Sequence, residues 1–247
     1  MRLIRGRVAT PRDDRAATAT MLARAGETGE EAFRAWTPHR QVAFGRRDAH
    51  EPGYEAACRA ARERDYVTVE RSVGGRAVAY TGTTVAFAHA LPLDDPRRGL
   101  TDRYEAGVDG VVVALGELGV DARPGEPQAS FCPGDHSVQL TADGRAGKVA
   151  GIAQRVQSGA ALVAGCVLVD DREALVDVLS RVYGALGVPF DPESVGTVTD
   201  AWGPRDPEPI CRALERAFVG DESDPRVEVA SVDAFVDAAE RQSRAGG

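Results

Sequence analysis

The chain has 247 residues, 43% of them hydrophobic, enough for one sizeable core and too few for two full-sized domains with a linker. Its 38 acidic against 30 basic side chains leave a formal net charge of −8, which argues against a nucleic-acid partner, whose phosphates call for a basic stripe. No apolar run reaches the length of a membrane span, and Arg2, Arg5 and Arg7 are followed by no apolar stretch, so neither a span nor a signal peptide is expected and the reading is a cytoplasmic protein.

In chain order, Leu3 to Val8 is predicted as a short strand and Arg12 to Ala25 as a helix. Phe33 to Phe44 turns at Pro38 and ends in the apolar strand Val42-Ala43-Phe44 before Gly45. Tyr54 to Arg64 has helical spacing, Tyr66 to Val69 is a β-branched strand, and Arg71 to Gly75 makes a tight glycine-bearing turn. Ala77 to Ala90 alternates as one strand through Val78, Tyr80, Val85, Phe87 and His89. Arg103 to Leu118 is an amphipathic helix with Tyr104, Val108, Val111, Val112 and Leu115 on one stripe. A Pro- and Gly-rich loop, Arg123 to Gly134, leads to the short strand Ser137 to Leu140. After the Asp143-Gly144 turn, the segment holding Lys148 reads as helix or strand through Val156. Ala160 to Val169 is a buried strand, Glu173 to Leu186 a helix closed by Gly187 and Pro189, and Pro209 to Phe218 a further helix before a polar end. Strict βαβ alternation is missing, so the expected fold class is α+β, mixed and antiparallel strands around one sheet with flanking helices. Residues 1–190 are expected to form the main domain and 191–247 a helical extension without an assigned role.

One fact of composition points to a site. Among the 30 basic residues Lys148 is the single lysine, the other 29 being arginine, a bias that fits a GC-rich genome. Where coding bias turns nearly every cation to arginine, a surviving lysine calls for a reason. Arginine's planar fork does not replace a compact ammonium on a flexible stem. Lys148 also stands between glycines, in Gly147-Lys148-Val149-Ala150-Gly151-Ile152-Ala153-Gln154-Arg155. This is no triphosphate cradle: Ala142 occupies the position of its first glycine, and Val149 follows the lysine in place of Ser or Thr.

Two other segments carry chemistry. Arg71-Ser72-Val73-Gly74-Gly75-Arg76 is a strand–turn–strand passage whose glycine pair exposes backbone N–H groups and lets a ligand approach the main chain, although ordinary hairpins carry such pairs too. The four cysteines lie far apart with no CxxC and no Cys/His zinc spacing, so neither a disulfide framework nor a metal site is expected. Cys58 in a helix and Cys166 in an apolar strand fit buried, inert thiols, as does Cys211. Cys132, in Phe131-Cys132-Pro133-Gly134-Asp135-His136, sits on an accessible turn, and the local sequence leaves nucleophile and passive thiol open. His136 is a candidate proton relay, its plain alternative being a solvated loop histidine.

These three segments, in this order and spacing, resemble the lipoate/biotin protein ligase superfamily, and within it the branch of lipoate-protein ligases and octanoyltransferases. The resemblance runs from about Leu3 to Leu179 and includes Ala43-Phe44-Gly45-Arg46 as a strand end of the family. The lysine segment is its most specific part. The chain departs from the pattern at Glu70, where many members carry a second arginine, and at Tyr80, where a histidine is common. The resemblance implies a biotin/lipoate protein ligase catalytic-domain fold in which Lys148 holds the carbonyl of an acyl donor. It further implies that Arg71, Gly74, Gly75, Gly151 and Ala153 bind the acyl group, with Tyr80 beside them.

Cys132 separates the branches. Octanoyltransferases and amidotransferases of the superfamily carry a thiol on the loop before the lysine strand, and some read Cys-Pro-Gly there. ATP-dependent lipoate ligases commonly lack it and often add an accessory domain, for which this length leaves little room. Biotin ligases share the Gly-Lys-x-x-Gly segment but carry a different arginine-glycine loop. The expected activity is therefore transfer of a lipoyl or octanoyl group to a lysine of a lipoyl-domain partner through a Cys132 thioester, with Lys148 at the acyl carbonyl. The partners implied are lipoyl domains of 2-oxoacid dehydrogenase complexes or the glycine-cleavage H protein, with an acyl carrier protein as a further donor. No bound cofactor is implied; the octanoyl or lipoyl donor is a substrate. The alternatives are an ATP-dependent lipoate ligase working through an acyl-adenylate with ATP and magnesium, and a non-catalytic lipoyl-domain-binding or split-ligase subunit.

Overall fold

The computed structural model describes residues 1–71 and 75–245. Strand β1 (Arg2–Arg5) leads to helix α1 (Pro11–Thr28), which starts where the sequence chemistry asks it to. Thr10 caps it by accepting from the Asp13 N–H, Pro11 fills the first position, and Gly29 ends it at φ 71°. Then come β2 (Ala32–Trp36), β3 (Gln41–Phe44), α2 (Tyr54–Arg62), β4 (Val67–Glu70), β5 (Val78–Tyr80) and β6 (Val85–Pro92). Helix α3 (Leu100–Glu117) precedes β7 (Ala122–Pro124), β8 (Ser137–Ala142), β9 (Arg145–Gln157) and β10 (Ala160–Val167). Helix α4 (Arg172–Leu186), α5 (Pro207–Val219), β11 (Glu228–Ser231) and α6 (Val232–Ala245) complete the chain.

The mixed α+β reading holds, with two sheets in place of one. The larger has eight strands in the order β11-β1-β2-β6-β10-β9-β8-β7, the smaller three in the order β4-β3-β5. In the large sheet β1 runs parallel to both β2 and β11, and the remaining pairs are antiparallel. Helices cover both of its faces. Phe33, Val111, Leu115 and Leu214 pack α3 and α5 on one face, while Ile4, Met21, Leu22 and Phe235 bring α1 and α6 to the other. The small sheet buries Val42, Phe44 and Val78 against Leu179, Val182 and other α4 and α2 side chains. Among the described residues no helix is long and apolar enough to cross a membrane.

Three local readings change. The single strand expected over Ala77 to Ala90 is two strands in different sheets, because Thr81 to Thr84 closes a turn: the Thr81 N–H donates to Thr84 Oγ1 at 3.1 Å and the Thr83 N–H to Thr81 Oγ1 at 3.2 Å. The Lys148 segment, open between helix and strand, is strand β9. The polar end holds β11, paired in register Leu3↔Val229, and α6, whose Val232 and Phe235 are buried.

Candidate active site

A bulge in β9 aims the lysine. Residues 148 and 151 are separated by an odd number and would face opposite sides of a regular strand. The register between β8 and β9 slips at Val138/Gln139, so that Val138 pairs with Ala150 and Gln139 with Lys148, leaving Val149 unpaired. The slip returns the lysine to the face of Gly151: a Cβ on Gly151 would lie 3.3 Å from Lys148 Cε and 3.6 Å from Nζ. Behind the strand, the Gly196 N–H donates to the Lys148 carbonyl at 3.0 Å, and Gly147 meets the Gly196 backbone so closely that a Cβ at position 147 would sit 2.7 Å from its Cα.

The ammonium is buried, its side chain 1% exposed, and each of its three N–H bonds has an acceptor. Nζ lies 3.0 Å from Glu126 Oε2, 3.0 Å from the Phe131 carbonyl and 2.8 Å from the Cys132 carbonyl. Ser130 donates to the same Glu126 carboxylate through its hydroxyl. Lys148 thus fastens the loop that carries the thiol.

That loop is held from the other side as well. Cys132 has φ 42°, a left-handed backbone that non-glycine residues seldom take. Its N–H donates to the Tyr183 hydroxyl at 2.5 Å, and that hydroxyl donates to the Ala77 carbonyl at 2.9 Å. The sulfur faces two donors, Arg71 Nη2 at 3.0 Å and the Arg76 backbone N at 3.3 Å. Gly75, at φ 103°, fits beneath them: a Cβ there would meet Cys132 Sγ at 2.5 Å and Arg71 Nη2 at 2.6 Å. Gly45 has the matching reason, since a Cβ there would strike the Gly75 carbonyl oxygen at 1.8 Å. Burial acts to lower the Arg71 guanidinium, but the neighbouring Cys132 and Tyr80 together leave it above its ordinary value, while burial pushes the Tyr80 hydroxyl up.

The thiol and the amine open into one cavity of about 870 Å³ between α1 and the large sheet. Its floor follows from register. Across β2, β6, β10 and β9 one row reads Trp36, Ala86, Cys166, Gly151, and across β6, β10 and β9 the next reads Ala88, Ala164, Ala153. Small side chains in neighbouring strands leave a trough, and Trp36 stands three strand spacings from Gly151, roughly 14 Å at ordinary sheet geometry. The dimensions and the apolar floor suit an extended acyl chain.

Of the residues singled out in the sequence, Arg71, Gly75 and Cys132 are in mutual contact, and Gly151 and Lys148 are adjacent. Tyr80, His136 and Ala153 line the same cavity. His136 stacks on Tyr104 at 3.8 Å, and among the described residues its ring makes no hydrogen bond to Cys132. Gly74 lies outside the described residues. Sequence reasoning missed Glu126, Ser130 and Tyr183. The first two are ordinary loop residues, and Tyr183 reads as one more apolar position of the α4 stripe. Among the described residues no three His, Cys, Asp or Glu side chains gather as a metal site.

A model of the lipoyl protein ligase A/B catalytic domain matches residues 11–218. The chain belongs to that family. It is 29% identical over 129 residues to the octanoyl-[GcvH]:protein N-octanoyltransferase of Oceanobacillus iheyensis, a match spanning 52% of this chain and 44% of that relative. Among solved structures, a lipoate-protein ligase A bound with ATP has 21% identity and a TM-score of 0.74, with 98% of this chain and 92% of the other covered. A bipartite lipoate protein ligase from Thermoplasma acidophilum, described with its E2 lipoyl domain, has 20% identity and a TM-score of 0.70, with 98% and 90% covered. These likenesses establish the fold of a lipoyl protein ligase catalytic domain.

Proposed function

We propose that this protein transfers an octanoyl or lipoyl group to a lysine of a partner protein through a thioester on Cys132. One observation carries the reading: the Cys132 sulfur meets the Arg71 guanidinium and the Arg76 N–H at the wall of a slot shaped for an acyl chain, on a loop fastened by Lys148. Donors aimed at sulfur favour the negative charge of a nucleophilic thiolate. The thiolate attacks the acyl carbonyl of the donor; the bond to the donor's leaving group breaks, and that group takes up the proton. The partner's lysine, as free amine, then attacks the thioester, the amide forms, the C–S bond breaks, and the sulfur regains a proton. Splitting the transfer into two steps is the gain from covalent catalysis. A Lys148 N–H turned to the carbonyl would stabilise its developing charge, an effect of about 3–4 kcal/mol where such a donor is lost from an oxyanion site.

The name of the Oceanobacillus relative supports octanoylated GcvH as donor, and the lipoyl domain of the archaeal system supports lipoyl domains as acceptors. We extend this to lipoyl domains of 2-oxoacid dehydrogenase complexes, with acyl carrier protein as a further donor. Neither step consumes ATP. The test is intact-mass analysis after incubation with octanoyl-GcvH or octanoyl-acyl carrier protein. A hydroxylamine-labile octanoyl adduct on the wild type, absent from Cys132→Ala, is expected; its absence from the wild type overturns the reading. Pyrophosphate release from ATP and free lipoate, without that adduct, would replace it with the adenylate route.

A further inference from the structure

The two-step scheme gives no role to the carboxylate paired with Lys148. The Glu126 carboxylate lies 3.0 Å from Lys148 Nζ, its side chain 24% exposed where the lysine is 1% exposed. It is the only charged partner of that ammonium among the described residues. Ser130, itself buried, fixes it with a hydroxyl donor.

An ammonium has three hydrogens, and all three are taken by Glu126, the Phe131 carbonyl and the Cys132 carbonyl. A donor carbonyl that engages Lys148 must displace one of these. The two carbonyls belong to the backbone that carries the thiol, pinned by the buried Ser130 and Phe131 and by the Tyr183 bond to the Cys132 N–H. Moving either would move the nucleophile. Glu126 is bound only through a flexible, partly exposed side chain that water can take over. A carboxylate left in place would also cancel the positive charge that a developing oxyanion needs.

We propose that Glu126 is an internal competitor for the acyl donor: its carboxylate occupies Lys148 in the resting protein, and the donor's carbonyl takes its place. The assignment rests on the acyl-transfer reading and adds a positioning residue to it. In the resting state Glu126 keeps the buried ammonium paired and the thiol loop fastened. In the donor complex it is swung away, so it weakens donor binding without entering the chemical step.

The consequence is a split of kinetic constants that ordinary structural support does not produce. Single-turnover acylation of Cys132 is measured by mass against octanoyl-GcvH concentration for the full chain. Glu126→Gln is expected to lower the half-saturating donor concentration by roughly three- to tenfold while the limiting rate stays within about twofold, the pattern of an interaction lost from the resting state alone. Glu126→Asp restores the charge and moves half-saturation back toward wild type. Ser130→Ala, which loosens the carboxylate without removing it, gives a smaller drop and carries the test if Glu126→Gln fails to fold. Half-saturation that rises or stays unchanged in Glu126→Gln and Ser130→Ala, or a limiting rate that falls alone, overturns the assignment. A wild type that takes no acyl group on Cys132 overturns the acyl-transfer reading and this assignment together.

Discussion

Two thiols line the same cavity and differ in almost every respect that governs reactivity. Cys166 sits near the end of β10, in register with Ala86 and Gly151, and burial pushes it up to about 11. Cys132 sits on a loop at φ 42°, with a guanidinium and a backbone N–H on its sulfur. Proximity to the slot is therefore not what makes a candidate nucleophile. Burial is the largest influence on Cys166 and outweighs a backbone contact from Gly151, whereas the bent loop brings the Cys132 sulfur onto the Arg71 guanidinium and the Arg76 N–H. The strain of that bend, about 1–3 kcal/mol for such a residue, is offset by the Tyr183 and Lys148 contacts that hold it.

The contrast breaks most sharply at the thiol itself. Cys132→Ala is expected to abolish both the acyl adduct and transfer, measured by intact mass and by acylation of the partner. If the adduct persists and maps to Cys166, the assignment of the two thiols is reversed. Lys148→Arg comes next, with a fall of about 10²–10³ in acyl transfer, the scale of a lost oxyanion donor. A guanidinium keeps the charge but not the compact geometry that reaches two adjacent carbonyls. Near-normal rates in this variant would remove the lysine from the account.

Gly75→Ala probes the thiol's surroundings without touching it. The added Cβ would lie 2.5 Å from the sulfur and 2.6 Å from Arg71 Nη2, at a φ of 103° that a side chain rarely adopts. Acylation is expected to fall by about tenfold or more as the strained backbone, worth about 1–3 kcal/mol, relaxes and the donors move off the sulfur. Single-turnover mass kinetics measure it, and an unchanged rate would show that the Arg71 and Arg76 contacts do not matter. Ala164→Leu fills the trough between Ala88 and Ala153. Octanoyl transfer should drop several-fold while transfer of a short acyl group such as butyryl is spared; equal losses for both would place the chain elsewhere.

How much of this was legible in the sequence depends on the range over which each signal acts. Lys148 stood out because composition made it singular, and Cys132 because Pro133 and Gly134 follow it. The strand character of the lysine segment stayed ambiguous for a physical reason: the bulge at Val149 interrupts the alternation by which a strand is recognised. The Thr81–Thr84 turn is closed by hydroxyls, which a pattern of apolar residues does not register. Strand β11 escaped because three of its four residues are exposed and its partner β1 lies at the other end of the chain. Glu126 and Tyr183 carry no local mark at all. Their meaning comes only from what the fold sets against Lys148 and the Cys132 N–H.

The smallest effect sharpens the contrast furthest. Cys166→Ala removes a sulfur that lines the slot and has no role in the proposed Cys132 route, so transfer should stay within about twofold of wild type, with any change confined to chain-length preference. The accompanying pH experiment uses the direction of the shift. A thiol raised to about 11 remains protonated, and hence unreactive, throughout the neutral range and begins to label only as pH climbs toward that value. Iodoacetamide at pH 8 followed by peptide mapping should therefore modify Cys132 and spare Cys166, with Cys166 labelling appearing only in strongly alkaline buffer. Burial both raises this thiol and bars the reagent, so urea below the unfolding transition that exposes Cys166 should remove both effects and bring its labelling at pH 8 toward that of an ordinary thiol. Labelling of Cys166 equal to that of Cys132 at pH 8 in native buffer would mean that the strand does not protect its thiol, and the distinction between the two sulfurs would be lost.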